Sequence, residues 1–276
     1  MERNKLFIIP EPVNSPRLRI FCFPYAGGSA KTYLDWAEHF TDNIEIVAVQ
    51  PPGRTTRLDE APYEDLYSLV DELMAHAEFI TKIPYAFIGH SLGCRVAFEL
   101  ACKLQSCGYP VPVHFFVSGC TAPHLRHNFP DTHDLPHDEF IRELRKMNGA
   151  TDEVLLNSEL MDFLLPVLKA DFKMAETYQA KRCLLKSPIT VLSGDSDPDI
   201  KPIELYAWSE LSSEGLTVQY IPGDHFFIDQ NKEKVIEVML ALLSQRFCGS
   251  VALSGHQVSS PVFERVQNDV PDPKRV

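Results

Sequence analysis

Short apolar runs alternating with helix-periodic stretches constrain this chain more than any other feature. Leu18–Phe23, 85–88, 113–118 and 189–193, with Ile44–Val49 and Leu216–Ile221, read as buried strands, several of them apolar without interruption. Unbroken apolarity marks strands covered on both faces, as in a parallel sheet. Residues 31–40, 66–80, 92–105 and 203–211 carry helical patterns between the strands, and Lys232–Phe247 follows the last one. Such alternation predicts an α/β architecture with a doubly wound, mostly parallel sheet, whose ligand site lies at the carboxyl ends of the strands. With 276 residues, 45% of them hydrophobic, the chain is long enough for one large domain with a well-filled core.

One stretch breaks the alternation. Residues 123–182 show only helical signals. Phe140, Ile141, Leu144 and Met147 fall on one helical face, with Asn148-Gly149 as its C-cap. Thr151 or Ser158 is placed to cap short following helices, and Pro166 to start or kink the next. So long a helical excursion exceeds a plain crossover and predicts a lid at about 123–182, inserted into a hydrolase-like domain spanning 1–248. Residues 249–276, rich in Ser, Gly and Pro with little periodic apolarity, predict a flexible tail.

The chemistry begins at Gly89-His90-Ser91-Leu92-Gly93, set between the strand at 85–88 and the helix that follows. Strand, G-x-S-x-G, then helix is the nucleophile elbow of the α/β-hydrolases, in which a sharp turn exposes the serine. A serine hydroxyl needs a base, and the base needs an acid to hold its tautomer; in this fold the chain order is Ser, acid, His. The acid follows a late strand, and 189–193 opens into Gly194-Asp195-Ser196-Asp197-Pro198. Asp197 has the G-x-x-D spacing of the hydrolase acid, while Asp195 better suits shaping the turn. The base follows the last strand, at Pro222-Gly223-Asp224-His225. His90, beside the nucleophile on a tight turn, is poorly placed to reach its hydroxyl and reads as packing support. An oxyanion hole needs two backbone N–H groups. Leu92 supplies one, and Ala26, in the loop Phe23-Pro24-Tyr25-Ala26-Gly27-Gly28-Ser29-Ala30, the other.

Other classes are disfavoured. A net charge of −12 argues against sequence-independent nucleic-acid binding. No apolar run approaches a membrane span, and Leu6 to Ile9 is too short for a signal-peptide core. Seven cysteines without framework spacing fit reduced thiols in a cytoplasmic protein, with Cys94, Cys102 and Cys107 as buried filler. His124, His127, His133 and His137 invite a metal reading. Pro130 and Pro136 interrupt them and no H-E-x-x-H is present, so a polar lid margin is expected instead.

Several segments together resemble one family, the type II thioesterases, stand-alone α/β-hydrolases serving fatty-acid, polyketide and nonribosomal peptide synthases; oleoyl-carrier-protein hydrolases look like distant relatives. Besides the loop at 23–30 and the elbow, the matching residues are Gln50-Pro51-Pro52-Gly53-Arg54 with Arg57, and Ser118-Gly119 with Ala122-Pro123. Leu165-Pro166-Val167-Leu168-Lys169-Ala170-Asp171-Phe172 and Asp224-His225-Phe226-Phe227 complete the set. The resemblance implies hydrolysis of acyl thioesters on the phosphopantetheine arm of an acyl or peptidyl carrier protein, with Ser91, His225 and Asp197 as triad. It implies no cofactor, since phosphopantetheine enters with the substrate. Leu160, Phe163, Leu164, Val167 and Phe172 are candidates for an acyl channel or for lid core. Arg54 and Arg57 suit either carrier phosphate or bracing by local carboxylates such as Asp59 and Glu60. Three departures stand out: Asp224 where the family has Gly, Cys120-Thr121 where it has a basic pair, and the tail. An ester or lipid hydrolase, an acyltransferase and a non-catalytic hydrolase-fold binding protein are the competing readings.

Overall fold

The structure, a computed structural model, describes residues 5–40, 43–125, 131–147 and 157–247. The expected tail at 249–276, the Asn148-Gly149 cap, Thr151 and His127 lie outside the described residues.

A seven-stranded sheet forms the centre: β1 (Phe7–Ile8), β2 (Leu18–Phe23), β3 (Ile44–Val49), β4 (Tyr85–His90), β5 (His114–Ser118), β6 (Ile189–Gly194) and β7 (Leu216–Ile221), in the order β1-β3-β2-β4-β5-β6-β7. All neighbours pair in parallel except β1, which runs antiparallel to β3. Side chains alternate across the pleat. Phe21, Phe23, Phe87, Phe115 and Val191 therefore enter one core, while Ile20, Cys22, Ile88, Phe116 and Leu192 enter the other. Both faces are apolar because both are covered, which is why the strands read as unbroken apolar runs.

The first face is covered by α1 (Leu66–Met74), α2 (Ala77–Thr81) and α3 (Leu92–Ser106), together with Trp208 from a 3-10 turn at Ala207–Leu211 that follows α6 (Pro202–Tyr206). The second is covered by a 3-10 helix, Ala30–His39, and by α7 (Phe227–Gln230) and α8 (Lys232–Phe247). Between β5 and β6 lie α4 (His137–Lys146) and α5 (Ser158–Thr177). This is the α/β-hydrolase arrangement, with the expected helical insert.

Several boundaries differ from expectation. The helix expected at 66–80 breaks at 75–76, where the His76 N–H bonds Leu73 O (2.9 Å) in a tighter turn. The short helices expected after residue 151 give way, within the described residues, to the single helix α5. Asn157, not Ser158, caps it, its side chain accepting from Leu160 N–H at 3.1 Å. Pro166 sits inside α5 rather than starting a helix. Pro166 and Asp162, whose carbonyl would have received the missing N–H, are both exposed, so the bond is lost on the solvent side of the helix. Phe140, Leu144 and Met161 form a small separate core with Leu165, Leu168 and Phe172, binding α4 to α5.

Candidate active site

The elbow is strained where the sequence pattern demands it. Ser91 has φ 50° and ψ −115°, a conformation that costs a non-glycine residue about 1–3 kcal/mol. It is pinned from both sides: its N–H donates to Ser118 O (2.9 Å) and its carbonyl accepts from Cys94 N–H (3.0 Å). The flanking glycines allow close passage. A Cβ on Gly89 would stand 2.4 Å from Gly93 C, and one on Gly93 only 2.1 Å from Phe23 O. Ser91 thus sits at the carboxyl end of β4 and at the N-terminus of α3, where the helix dipole favours developing negative charge.

Asp197 and His225 come from neighbouring loops after β6 and β7. The His225 Nδ1–H donates to Asp197 Oδ2 at 2.8 Å, and Asp197 Oδ1 accepts from the Asp199 N–H at 3.0 Å. The Asp197 side chain has no solvent exposure. A buried acid on Nδ1 assigns the proton there and leaves Nε2 free as the base. Asp195, the competing acid, instead accepts from Gly223 N–H (3.1 Å) and the Ser196 hydroxyl (2.9 Å), shaping the turn as expected. The two loops meet over Gly194, where a Cβ would lie 2.4 Å from Asp224 O.

His90 is fully buried behind the base. Its ring centroid lies 5.1 Å from that of His225, 5.6 Å from Tyr25 and 5.4 Å from Phe227, and its Nδ1 pairs with Ser118 Oγ at 2.8 Å. Burial, then the nearby His225, holds its pKa well below the usual imidazole value, so it is a neutral platform, as the packing reading expected. The structure thereby brings Ser91, His225 and Asp197 to one end of the sheet. The acid–base hydrogen bond is formed, whereas the Ser91 hydroxyl makes no hydrogen bond among the described residues. Triad contacts of this kind commonly tighten only once substrate is bound.

Both expected oxyanion donors are open. Leu92 is the first residue of α3, where N–H groups have no intrahelical acceptor, and Ala26 lies in the loop after β2. Neither N–H has an acceptor among the described residues. A narrow, largely apolar crevice lined by Phe23, Val49, Leu69, Leu92, Val96 and Met174 runs beside the elbow. The acyl-channel candidates divide. Val167 is buried and Phe172 packs on Phe140 in the insert core (ring centroids 5.3 Å), while Leu160 and Phe163 are exposed. Val167 and Leu168 press α5 onto the loops at Gly53 and Gly27.

Both arginines of the 50–57 segment turn inward. Arg57 is buried, bonding Glu60 (2.6 Å), Glu72 (2.6 Å) and Gln50 O (3.1 Å), so the bracing role holds with Glu72 added and Asp59 absent. Arg54 pairs with a partner the sequence reading did not weigh, Asp171 of α5. Two of the three departures from the family pattern lie within the described residues. Asp224 Oδ1 accepts from Phe226 N–H (2.9 Å) and Gln230 Nε2 (3.2 Å), closing its own turn. Cys120 is buried, and its carbonyl receives the Trp208 indole N–H at 3.0 Å. The six described cysteines are unbridged; Cys94 is buried as expected, but Cys102 is only half-buried and Cys107, past the end of α3, is exposed.

The histidines of the insert face separate carboxylates: His124 faces Glu210 at 3.5 Å and His137 faces Asp162 at 3.7 Å. Asp131, His133 and Glu176 are the one group among the described residues whose ligand atoms lie within 4.8 Å of one another. The Glu176 oxygens are already occupied by Thr132 N–H (2.9 Å) and hydroxyl and by His133 N–H (3.1 Å) and Nδ1 (2.5 Å). This is a brace between the 131–134 loop and α5.

Comparison with known proteins agrees with this geometry. The thioesterase domain family matches residues 18–243. The gramicidin S biosynthesis protein GrsT of Aneurinibacillus migulanus is 39% identical over 86% of this chain and 93% of its own length. The chain belongs to the type II thioesterase family. A medium-chain S-acyl fatty acid synthase thioesterase of Rattus norvegicus is 32% identical over 82% of this chain and 85% of its own. The solved structure of BorB, a type II thioesterase from the borrelidin biosynthetic cluster, superposes with a TM-score of 0.80 at 31% identity. It covers 88% of this chain and 99% of that one. The chain is accordingly a thioesterase and a serine hydrolase, with the α/β-hydrolase fold. No helix among the described residues is long and apolar enough to cross a membrane.

Proposed function

We propose that this enzyme hydrolyses acyl thioesters carried on the phosphopantetheine arm of an acyl or peptidyl carrier protein, clearing or releasing chains for a fatty-acid, polyketide or nonribosomal peptide synthase. The observation that carries the reading is the buried Asp197–His225 bond set at the same sheet end as a strained Ser91.

In this mechanism His225 Nε2 takes the proton of Ser91 Oγ as the oxygen attacks the thioester carbonyl. The Leu92 and Ala26 N–H groups hold the resulting oxyanion. Collapse expels the pantetheine sulfur, which takes the proton back from His225 Nε2 and restores the neutral imidazole. Water, deprotonated by the same imidazole, then attacks the acyl-serine and frees the carboxylic acid. Asp197 keeps Nδ1 protonated throughout and stabilises the imidazolium. The helical insert serves as a lid over this end of the sheet. The scheme calls for no metal or resident cofactor; pantetheine arrives with the substrate, and the setting is cytoplasmic.

The test is a panel of acyl-pantetheine thioesters of varied length, with and without carrier protein, on wild type and Ser91→Ala. Wild type is expected to turn over and to favour carrier-bound substrate; Ser91→Ala is expected to lose turnover and fluorophosphonate labelling while keeping its fold. Retained turnover in Ser91→Ala would remove the covalent mechanism, and faster transfer to alcohols or amines than to water would make the enzyme an acyltransferase.

A further inference from the structure

The loop that carries the Ala26 donor does not hold itself in place. Its one internal backbone bond, Gly28 N–H to Tyr25 O (2.9 Å), ties the peptide that carries the Ala26 N–H to Gly28, across Gly27 at φ 75°. What fixes it comes from far along the chain. The Gly27 N–H donates to Asp171 Oδ2 at 2.7 Å, and Asp171, 1% exposed, belongs to α5 of the helical insert. Arg54 closes the arrangement from the other side. Its Nη1 and Nη2 grip the two oxygens of Asp171 at 2.6 and 2.8 Å, its Nη1 also reaches Gly28 O at 3.0 Å, and its Nε reaches Pro52 O at 3.2 Å. The Ala26–Gly27 peptide is therefore held at Gly27 N–H and the Gly28–Ser29 peptide at Gly28 C=O, and the Tyr25–Ala26 peptide, which carries the Ala26 N–H, is tied to this clamp by the Gly28 N–H on Tyr25 O.

Stability alone does not account for such a pair. Taking two charges out of water offsets most of their attraction, and apolar residues of similar volume often do as well or better. What an apolar pair lacks is direction: only an acceptor at this point aims the Gly27 N–H, and with it the preceding peptide. The pairing also has an electrostatic logic. A bare carboxylate so close to a developing oxyanion would oppose it, and the bidentate guanidinium cancels that charge.

We propose that Asp171, held by Arg54, is a positioning residue for the oxyanion hole: it fixes Gly27 and Gly28, and through the Gly28 N–H the Tyr25–Ala26 peptide, so that the Ala26 N–H meets the tetrahedral intermediate. The donor on the β2 loop is thus aligned only when α5 is seated. This rests on the thioesterase mechanism above, since it presumes that the Ala26 N–H receives the oxyanion.

The experiment compares wild type with Asp171→Asn, Asp171→Leu and the double variant Arg54→Met/Asp171→Leu. Each is measured for kcat and KM on an acyl-pantetheine thioester and on p-nitrophenyl acetate. Affinities are measured for an acyl trifluoromethyl ketone, a tetrahedral mimic, and for a non-hydrolysable acyl-pantetheine thioether. Asp171→Leu and the double variant are expected to lose about 10–100-fold in kcat and a similar factor in ketone affinity, with KM and thioether affinity within about threefold, whereas Asp171→Asn, whose amide oxygen still accepts from the Gly27 N–H, is expected to keep kcat within a few-fold. The double variant, free of an unpaired buried charge, is expected to recover the thermal midpoint lost in Asp171→Leu but not its kcat. Recovery of kcat with the midpoint, or a loss confined to KM, would overturn the positioning role. Wild type inactive on pantetheine thioesters yet active on p-nitrophenyl acetate would sink the substrate reading alone, because the ester and ketone measurements still decide Asp171.

Discussion

Replacing Gly93 by alanine places the sharpest demand on the proposed oxyanion geometry. The new Cβ would stand 2.1 Å from Phe23 O, 2.6 Å from Phe23 C and 2.7 Å from Pro24 O. All three are backbone atoms, so no side chain can swing aside. Separations under 3.0 Å are essentially never tolerated, and the start of α3 and the end of β2 must part by about 1 Å. Leu92 precedes the substitution and Ala26 follows Pro24 by two residues, so both oxyanion donors ride on the segments that separate. A displacement of about 1 Å in a positioning element costs about 100-fold in rate. Overpacking costs about 1–3 kcal/mol, or a midpoint lower by about 2–10 °C in a chain of this size. The assay is kcat on an acyl-pantetheine thioester per folded molecule, with the folded fraction taken from near-ultraviolet circular dichroism. Gly108→Ala is the control: its Cβ meets nothing within 4 Å, and at φ +81° its cost is backbone strain of about 1–2 kcal/mol with kcat unchanged. A folded Gly93→Ala enzyme with kcat within threefold of wild type would refute the assignment of both donors.

Two further outcomes follow from the site. Asp197→Asn is expected to lower kcat by about 10³–10⁴-fold, while Asp195→Asn, which loosens a turn, costs about 1 kcal/mol of stability and leaves kcat within a few-fold; steady-state kinetics giving the reverse order would exchange their roles. The depressed pKa of His90 predicts an acid-labile fold: below the ordinary imidazole value of 6.5 the unfolded chain binds a proton that the folded chain refuses. Stability is therefore full above that pH and falls as the pH drops through the window beneath it, by up to about 1.4 kcal/mol per pH unit. Urea unfolding of wild type and His90→Gln between pH 7 and 5 reads this directly, and equal slopes in the two proteins would disprove it.

The sequence by itself determined what local patterning can express. Most of the strands were legible because burial on both faces leaves an apolar run, although β7 is only half-buried and carries Thr217 and Gln219; β1 was not legible, because a two-residue edge strand has too little pattern to read. Ser91, Asp197 and His225 were legible because each stands at a fixed place relative to a strand end, where spacing carries the information. Of the two roles open to Pro166, starting a helix failed, because the proline lies on an exposed face inside α5, and exposure is not written in the local pattern. Tertiary structure decided the rest. Asp171 meets Arg54 across 117 positions of sequence, and no residue type or spacing near either one announces the other. A buried carboxylate gains its meaning only from what the fold carries to it: here a guanidinium that neutralises it and a glycine N–H that it holds still.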